Sequence, residues 1–430
     1  MRGKTVDKDI SLLELVQNGQ LVKTGAKPKL PIQIPNVNDG MLDVYRIPLK
    51  YLYYNAENGR IASAISRQDI RLEPARDNEN PEYNQLIAKM IVEDNAAKLK
   101  QTKKSIRESG QKVFGYVLAD GRVIDGNRRY TALRQLAEET GETYLFEAVI
   151  LPFTYASKTE RAEIKRLELA IQMGTEERQA YDPVDLSVDI YQTVVVDKLM
   201  TENDYAKEAN IKPKEIKNRT TTVMLMREFL EFINTKENAY HIIKDTKLYN
   251  PLYELAKKLN VQFPKKGPAY EQSKITSFAL LTKMLATGGD TVREVRDYFK
   301  DVLTTAANED FNDAIEDSVD NLRDTFEEHP VTSATEFRRV IEIASPEIRE
   351  INEEYVRTRN RQNRGKNIDS FIGDVKETLN SLKDMQKGEG LTGNLNFNNF
   401  SKDQINEIRE YLIQINLISR ELIEIYDDEI

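Results

Sequence analysis

Apolar and polar positions along the chain fall into three regimes. Residues 1–40 are mostly polar, punctuated by Lys and Gly, and carry Pro28, Pro31 and Pro35, which predicts a loosely ordered polar arm. From Val44 the pattern tightens. Val44-Tyr45-Arg46-Ile47-Pro48-Leu49 predicts a strand, and Asn55-Ala56-Glu57-Asn58-Gly59-Arg60 after it is a turn-rich stretch ending on an arginine. Residues 67–95 read as a polar insert.

Between Ala96 and Ile150 helix and strand periods alternate. Leu99 and Ile106 mark a helix over 98–109 that stops at Gly110, and Asp120-Gly121 is a two-residue turn between short strands at 116–118 and 122–124. Gly126 breaks the second strand and opens a helix over 127–139; Phe146–Leu151 is a further strand. The unit reads as α+β. Beyond Lys158 nearly everything has a helical period: 158–173, 183–200, 203–209, 213–234, 248–259, 271–287, 290–306, 310–327, 333–344, an Arg/Asn-rich stretch past 346, and 367–386. Gly388–Asn399 reads as a linker. In the last helix, 402–426, Ile405, Ile408, Leu412, Ile415, Leu422 and Tyr426 alternate steps of three and four, interrupted at Ser419.

Composition removes whole classes of chemistry. The 430 residues include no cysteine and two histidines, His241 and His329, so disulfides, thiolate nucleophiles and zinc ribbons are excluded and a Ser-His-Asp hydrolase is disfavoured. No window reaches the roughly 18 apolar residues of a membrane span, and the amino terminus lacks an apolar core before a cleavage site, so a cytoplasmic protein with no membrane partner is expected. Carboxylates, amides, hydroxyls, Lys and Arg remain, a set suited to Mg²⁺ and phosphate. A net charge of −9 argues against a protein coated in cations, so any basic site must be local.

One such site is Val123-Ile124-Asp125-Gly126-Asn127-Arg128-Arg129. A glycine lets the backbone approach a ligand, the following helix offers free N–H groups, and two arginines in its first turn oppose the macrodipole unless something negative joins them. Two readings stay open: a turn closed internally by Asp125 or a distant Glu, or a seat for an anion. The run Ile124–Arg129 with Ala132-Leu133 resembles the Gly-Glu-Arg-Arg box of the ParB/sulfiredoxin superfamily, with Asn127 in place of the usual Glu. The helix ending at Gly110 and the hairpin after it match the family order, and Ile47–Leu49 through Asn55 and Arg60 resemble its amino-terminal strand. Val113-Phe114 replaces the usual Gln-Pro. A third box is matched by Gly174-Thr175-Glu176-Glu177-Arg178 with Asp182-Pro183, without the family's Glu-Asn pair; two substitutes stay open, Glu176 with Glu177, or Glu168 with Gln172 under a shifted register.

The resemblance, over roughly residues 44–235, implies phosphate or nucleotide binding through Arg60, Gly126, Asn127, Arg128, Arg129 and Arg178, with CTP and Mg²⁺ as the expected nucleotide and metal. Glu168, Glu176 and Glu177 are the candidate metal ligands, and Asp125, Glu176 and Glu177 the candidates for catalysis, as a CTPase-like enzyme or a nuclease. Lacking cysteine, the chain cannot be a sulfiredoxin.

A second local site has helix-turn-helix spacing. Ala206 allows two helices to approach, Asn210 suits the left-handed turn, Ile211 and Ile216 plug the angle, and Pro213 opens the second helix. Lys212, Lys214 and Lys217 suit phosphate contacts, with Asn218 and Arg219 reaching base edges; a plain helical hairpin with a solvated face is the alternative.

The expected architecture is an α+β ParB/sulfiredoxin-like domain followed by a mostly α-helical remainder: 1–40 an arm, 41–155 the nucleotide-binding domain, 156–240 the helix-turn-helix domain, 241–386 a helical domain, and 387–430 a linker and a helix that either pairs with its twin in a dimer or folds as an intramolecular hairpin on 367–386. The expected function is a nucleotide-gated clamp on double-stranded DNA, a homodimer acting in plasmid, phage or chromosome segregation or regulation, associated with nucleoid or plasmid and partnered by a ParA-type ATPase. A metal-dependent nuclease in phage defence and a repressor with a ligand-free first domain are the alternatives.

Overall fold

The structure, a computed structural model, describes residues 10–31, 40–57, 59–68, 73–173, 181–364, 368–387 and 401–427. It divides into two compact units, Met1–Thr358 and Arg359–Ile430.

The first unit is built on a mixed six-stranded sheet ordered β1-β2-β6-β4-β5-β3. The strands are β1 Val22–Lys23, β2 Val44–Pro48, β3 Tyr53–Tyr54, β4 Gly115–Leu118, β5 Arg122–Asp125 and β6 Leu145–Leu151. β4 and β5 form the hairpin expected at Asp120-Gly121, while β4 runs parallel to β6, and β5 to β3. Successive side chains point to opposite faces, and both faces are apolar. Val117, Val123, Phe146, Ala148 and Ile150 pack to one side; Leu118, Ile124, Val149 and Leu151 pack to the other. The sheet therefore needs a helical layer on each side.

The first layer comprises α1 Leu12–Gln17, α2 Ala62–Ile65, α3 Pro81–Asp94, α4 Ala96–Ser109 and α5 Asn127–Thr140. Two expectations fail here. The stretch read as a polar insert contains α3, with an Asn80 cap, Pro81 in the first turn, and Tyr83, Ile87, Met90 and Ile91 buried on one face. Its polar residues are simply the solvent side of an amphipathic helix. The arm also holds structure: Ser11 caps α1, whose Leu12 and Leu15 are buried, and β1 pairs with β2.

The second layer is α6 Lys158–Met173, which buries Ile164, Leu167 and Ile171 on the opposite face. Beyond it lie α7 Pro183–Tyr191, α8 Glu202–Glu208, α9 Pro213–Phe232, α10 Tyr240–Asp245, α11 Tyr249–Gln262, α12 Pro268–Thr287, α13 Thr291–Tyr298, α14 Ala307–Ala314, α15 Glu316–Glu328, α16 Ala334–Ile343 and α17 Ser345–Arg364. All of these except α8 share one large apolar core from Val184 to Tyr355; α8 packs through Tyr205 and Ala206 in a smaller core with Leu169, Ile190, Met200 and Ile216.

Three expected helices are interrupted. The one over 310–327 is two helices meeting at Ile315; those over 183–200 and 290–306 end in π-turns at Gln192–Val196 and Phe299–Leu303. Each π-turn closes an i→i+5 bond, Asp197 N–H to Gln192 O at 2.8 Å and Thr304 N–H to Phe299 O at 3.1 Å. The second unit contains α18 Ile368–Lys387 and α19 Lys402–Asp427; the expected linker 388–399 lies outside the described residues.

Candidate functional site

β5 ends at Asp125 and α5 begins at Asn127, so the chain reverses on Gly126, which takes φ 101° and ψ 15°. A Cβ there would lie 2.8 Å from the Phe146 ring and 2.9 Å from the Arg129 guanidinium, so only glycine fits both the dihedral and the space. Gly126 provides no side-chain cap, which leaves the first N–H groups of α5 to whatever occupies the space in front of them. Asn127 beside it is 7% exposed, and its Oδ1 has no hydrogen-bond partner among the described residues.

That space is a cleft of about 660 Å³ between the start of α5, α4 and Arg60. Its charged lining is Arg60, Lys98, Lys112, Arg128 and Arg129 against Asp94 and Asp125. In a chain of net charge −9 this is a concentrated cationic pocket. The two arginines of the box behave differently. Arg129 pairs with Asp125 at 2.8 Å, one helical turn back, so the internally closed turn holds for this residue. Burial, and next the Arg60 guanidinium nearby, push Arg128 down from the usual arginine range, while Asp94 pulls the other way. Two guanidiniums brought into one partly buried cleft lower the free energy of any anion that enters it.

Arg60 lies 4.4 Å from the Tyr181 ring and also lines a neighbouring cavity of about 620 Å³ with Arg67, Lys244, Asp182 and Asp245. Lys98 and Lys112 were not expected in the site; the cation-rich run Lys98–Lys112 was the available signal.

The candidate carboxylates are placed less favourably. Asp125 is held by Arg129, and Glu168 lies 3.2 Å from the Lys165 ammonium, which also donates to Asp189 at 2.5 Å. Glu176, Glu177 and Arg178 lie outside the described residues. Among the described residues no three His, Asp or Glu side chains cluster as metal ligands would.

The second candidate site lies where α8 meets α9. Thr201 and Asp204 form a capping box on α8, Asn210 turns at φ 53°, and Pro213 opens α9. Ala206 and Ile216 are buried and Ile211 is partly buried between the helices. Lys212, Lys214 and Lys217 face solvent. Asn218 and Arg219, expected at base edges, instead turn inward. Arg219 pairs with Glu215 at 2.8 Å and donates to Ser187 Oγ and Tyr249 Oη at 3.1 Å each; Asn218 Nδ2 donates to Tyr253 Oη at 3.4 Å. Tyr253 donates to Glu215 at 2.6 Å, and burial together with that carboxylate pushes its phenol up to about 12. These two residues fasten α9 to α7 and α11 rather than present themselves outward.

His241 is buried, its ring nitrogens 3.3 Å from Ser66 Oγ and from the Thr332 carbonyl, and His329 is exposed. Among the described residues no helix is long and apolar enough to cross a membrane.

No family model matches the chain, and neither does any curated protein. Among solved structures, the chain is similar to the C-terminally truncated chromosome-partitioning protein ParB from Caulobacter crescentus complexed with CTP-gamma-S, at 14% identity over 50% of this chain and 92% of that one, with a TM-score of 0.18.

Proposed function

We propose that the chain is a ParB-like DNA-binding protein whose grip on DNA is gated by a nucleotide held at the start of α5. The observation that carries this reading is the uncapped amino terminus of α5 behind Gly126, with Arg128 and Arg60 converging on one cleft. Backbone N–H groups, a helix dipole and two guanidiniums form a receptor for phosphate oxygens, and the volume suits a nucleotide better than a lone phosphate. The Gly126-Asn127-Arg128-Arg129 box, which resembles that of the ParB/sulfiredoxin superfamily, makes CTP with Mg²⁺ the nucleotide to try first.

Lys212, Lys214 and Lys217 on α9 supply the DNA contacts in this reading, which are phosphate contacts and so insensitive to sequence. A second copy joins through α19, closing a clamp. A ParA-type ATPase as partner and segregation as the process belong to the same proposal.

Calorimetry with CTP and Mg²⁺ tests it. Wild-type protein should bind and Arg128→Ala should bind at least about tenfold more weakly, as expected for a lost charged hydrogen bond. Equal binding by the two would remove the assignment.

A further inference from the structure

The strap Gly59–Arg67 touches the cleft on one side and the helices that carry α8 and α9 on the other. Arg60 lines the cleft. Behind it, the Ser63 N–H donates to Asp185 Oδ1 in the first turn of α7 at 2.8 Å, the His241 N–H of α10 donates to Ser66 Oγ at 3.2 Å, and Arg67 makes two bonds to Asp245 at 2.8 and 3.0 Å. At Gly59 there is no room for a side chain. A methyl group there would lie 2.5 Å from Asp189 Oδ1, so the backbone rests directly on that carboxylate.

Asp189 is committed on both oxygens. Lys165 donates to Oδ1 at 2.5 Å, and the Tyr205 hydroxyl of α8 donates to Oδ2 at 2.7 Å. Lys165, Glu168, Asp189 and Tyr205 are each less than a tenth exposed. Charges buried together in this way have few alternative arrangements, because moving one leaves its partner uncompensated. The four side chains therefore shift as one body or not at all.

We infer that Asp189 is a positioning residue that relays occupancy of the cleft to α8. A ligand held by Arg60 fixes the strap, Gly59 fixes the Asp189 carboxylate, and Asp189 fixes the seat of α8 through Tyr205. The relay rests on the nucleotide reading of the cleft. Coupling of this kind is reciprocal, so DNA on α9 changes nucleotide affinity by the same factor as nucleotide changes DNA affinity.

The test is a linkage cycle on the full chain, using CTP with Mg²⁺ and a duplex of random sequence, in wild type and Tyr205→Phe. This variant keeps the ring in the core and deletes one hydrogen bond. Wild type should show a coupling factor of about five or more, and Tyr205→Phe should bind each ligand alone within about twofold of wild type with the coupling lost. Full coupling in Tyr205→Phe overturns the relay.

Hydrogen exchange of Gly59→Ala without any ligand provides an independent arm. The added methyl must displace Asp189, so amides of α8 should exchange about tenfold faster while those of β6 keep their wild-type rates. Unchanged exchange in α8 overturns the relay. Failure of wild type to bind CTP removes the nucleotide reading instead, and the exchange arm then decides the mechanical link from Gly59 through Asp189 to α8.

Discussion

At Gly126 the dihedral and the crowding act in the same direction. An alanine would adopt a left-handed conformation, at roughly 1–2 kcal/mol, and would press its methyl on Phe146. Gly126→Ala should therefore lower the urea midpoint and weaken nucleotide binding together. Arg128 and Arg129 look alike in the sequence; Arg129 pairs with Asp125 one turn away. That pairing was legible as one of two alternatives, because the residues are four apart. The inward turn of Asn218 and Arg219 was not, because their partners Tyr249 and Tyr253 come from α11, some thirty residues on. His241 gives a pH signature. Burial, with Arg67 adding to it, holds its imidazole below the ordinary 6.5, so at falling pH the unfolded chain takes up the proton first. Stability should decline as pH drops below about 6.5, and His241→Gln should flatten that part of the profile in thermal melts.

Among the elements, helices with a wide apolar face were legible and those with a diluted one were not. α6 falls on the residues its period predicts, whereas α3 hides five buried side chains, Asn84 among them, in a strongly polar segment. On α9 the exposed lysines make a prediction at this scale: Lys214→Ala and Lys217→Ala should each reduce the slope of log affinity against log salt by about one, whatever the duplex sequence. α19 carries its heptad seam in the open, with Ile408, Leu412, Ile415 and Leu422 between 38% and 50% exposed. In the clamp reading this seam pairs with its twin, and Leu412→Asp should convert a dimer into a monomer in light scattering.

Across the whole molecule, an acidic total coexists with two basic sites because charge is distributed by element. The cleft gathers five cations against two acids, and the exposed start of α9 adds three lysines. Both are invisible in a net charge of −9. The order of the sheet was equally out of reach of the sequence. The parallel pairings of β3 with β5 and β4 with β6 join strands separated by long stretches of chain, and nothing local specifies them.

The π-turn at Gln192–Val196 has a consequence of its own. A helix advances about 100° per residue, so a turn holding one residue beyond the α repeat re-aims everything downstream of it. Removing a single valine from Val194–Val196 would make a tidier helix, yet would swing Leu199 and Met200 off the small core that seats α8. The length of this stretch is thus under tighter constraint than its composition: a valine there should tolerate exchange for isoleucine or threonine far better than deletion.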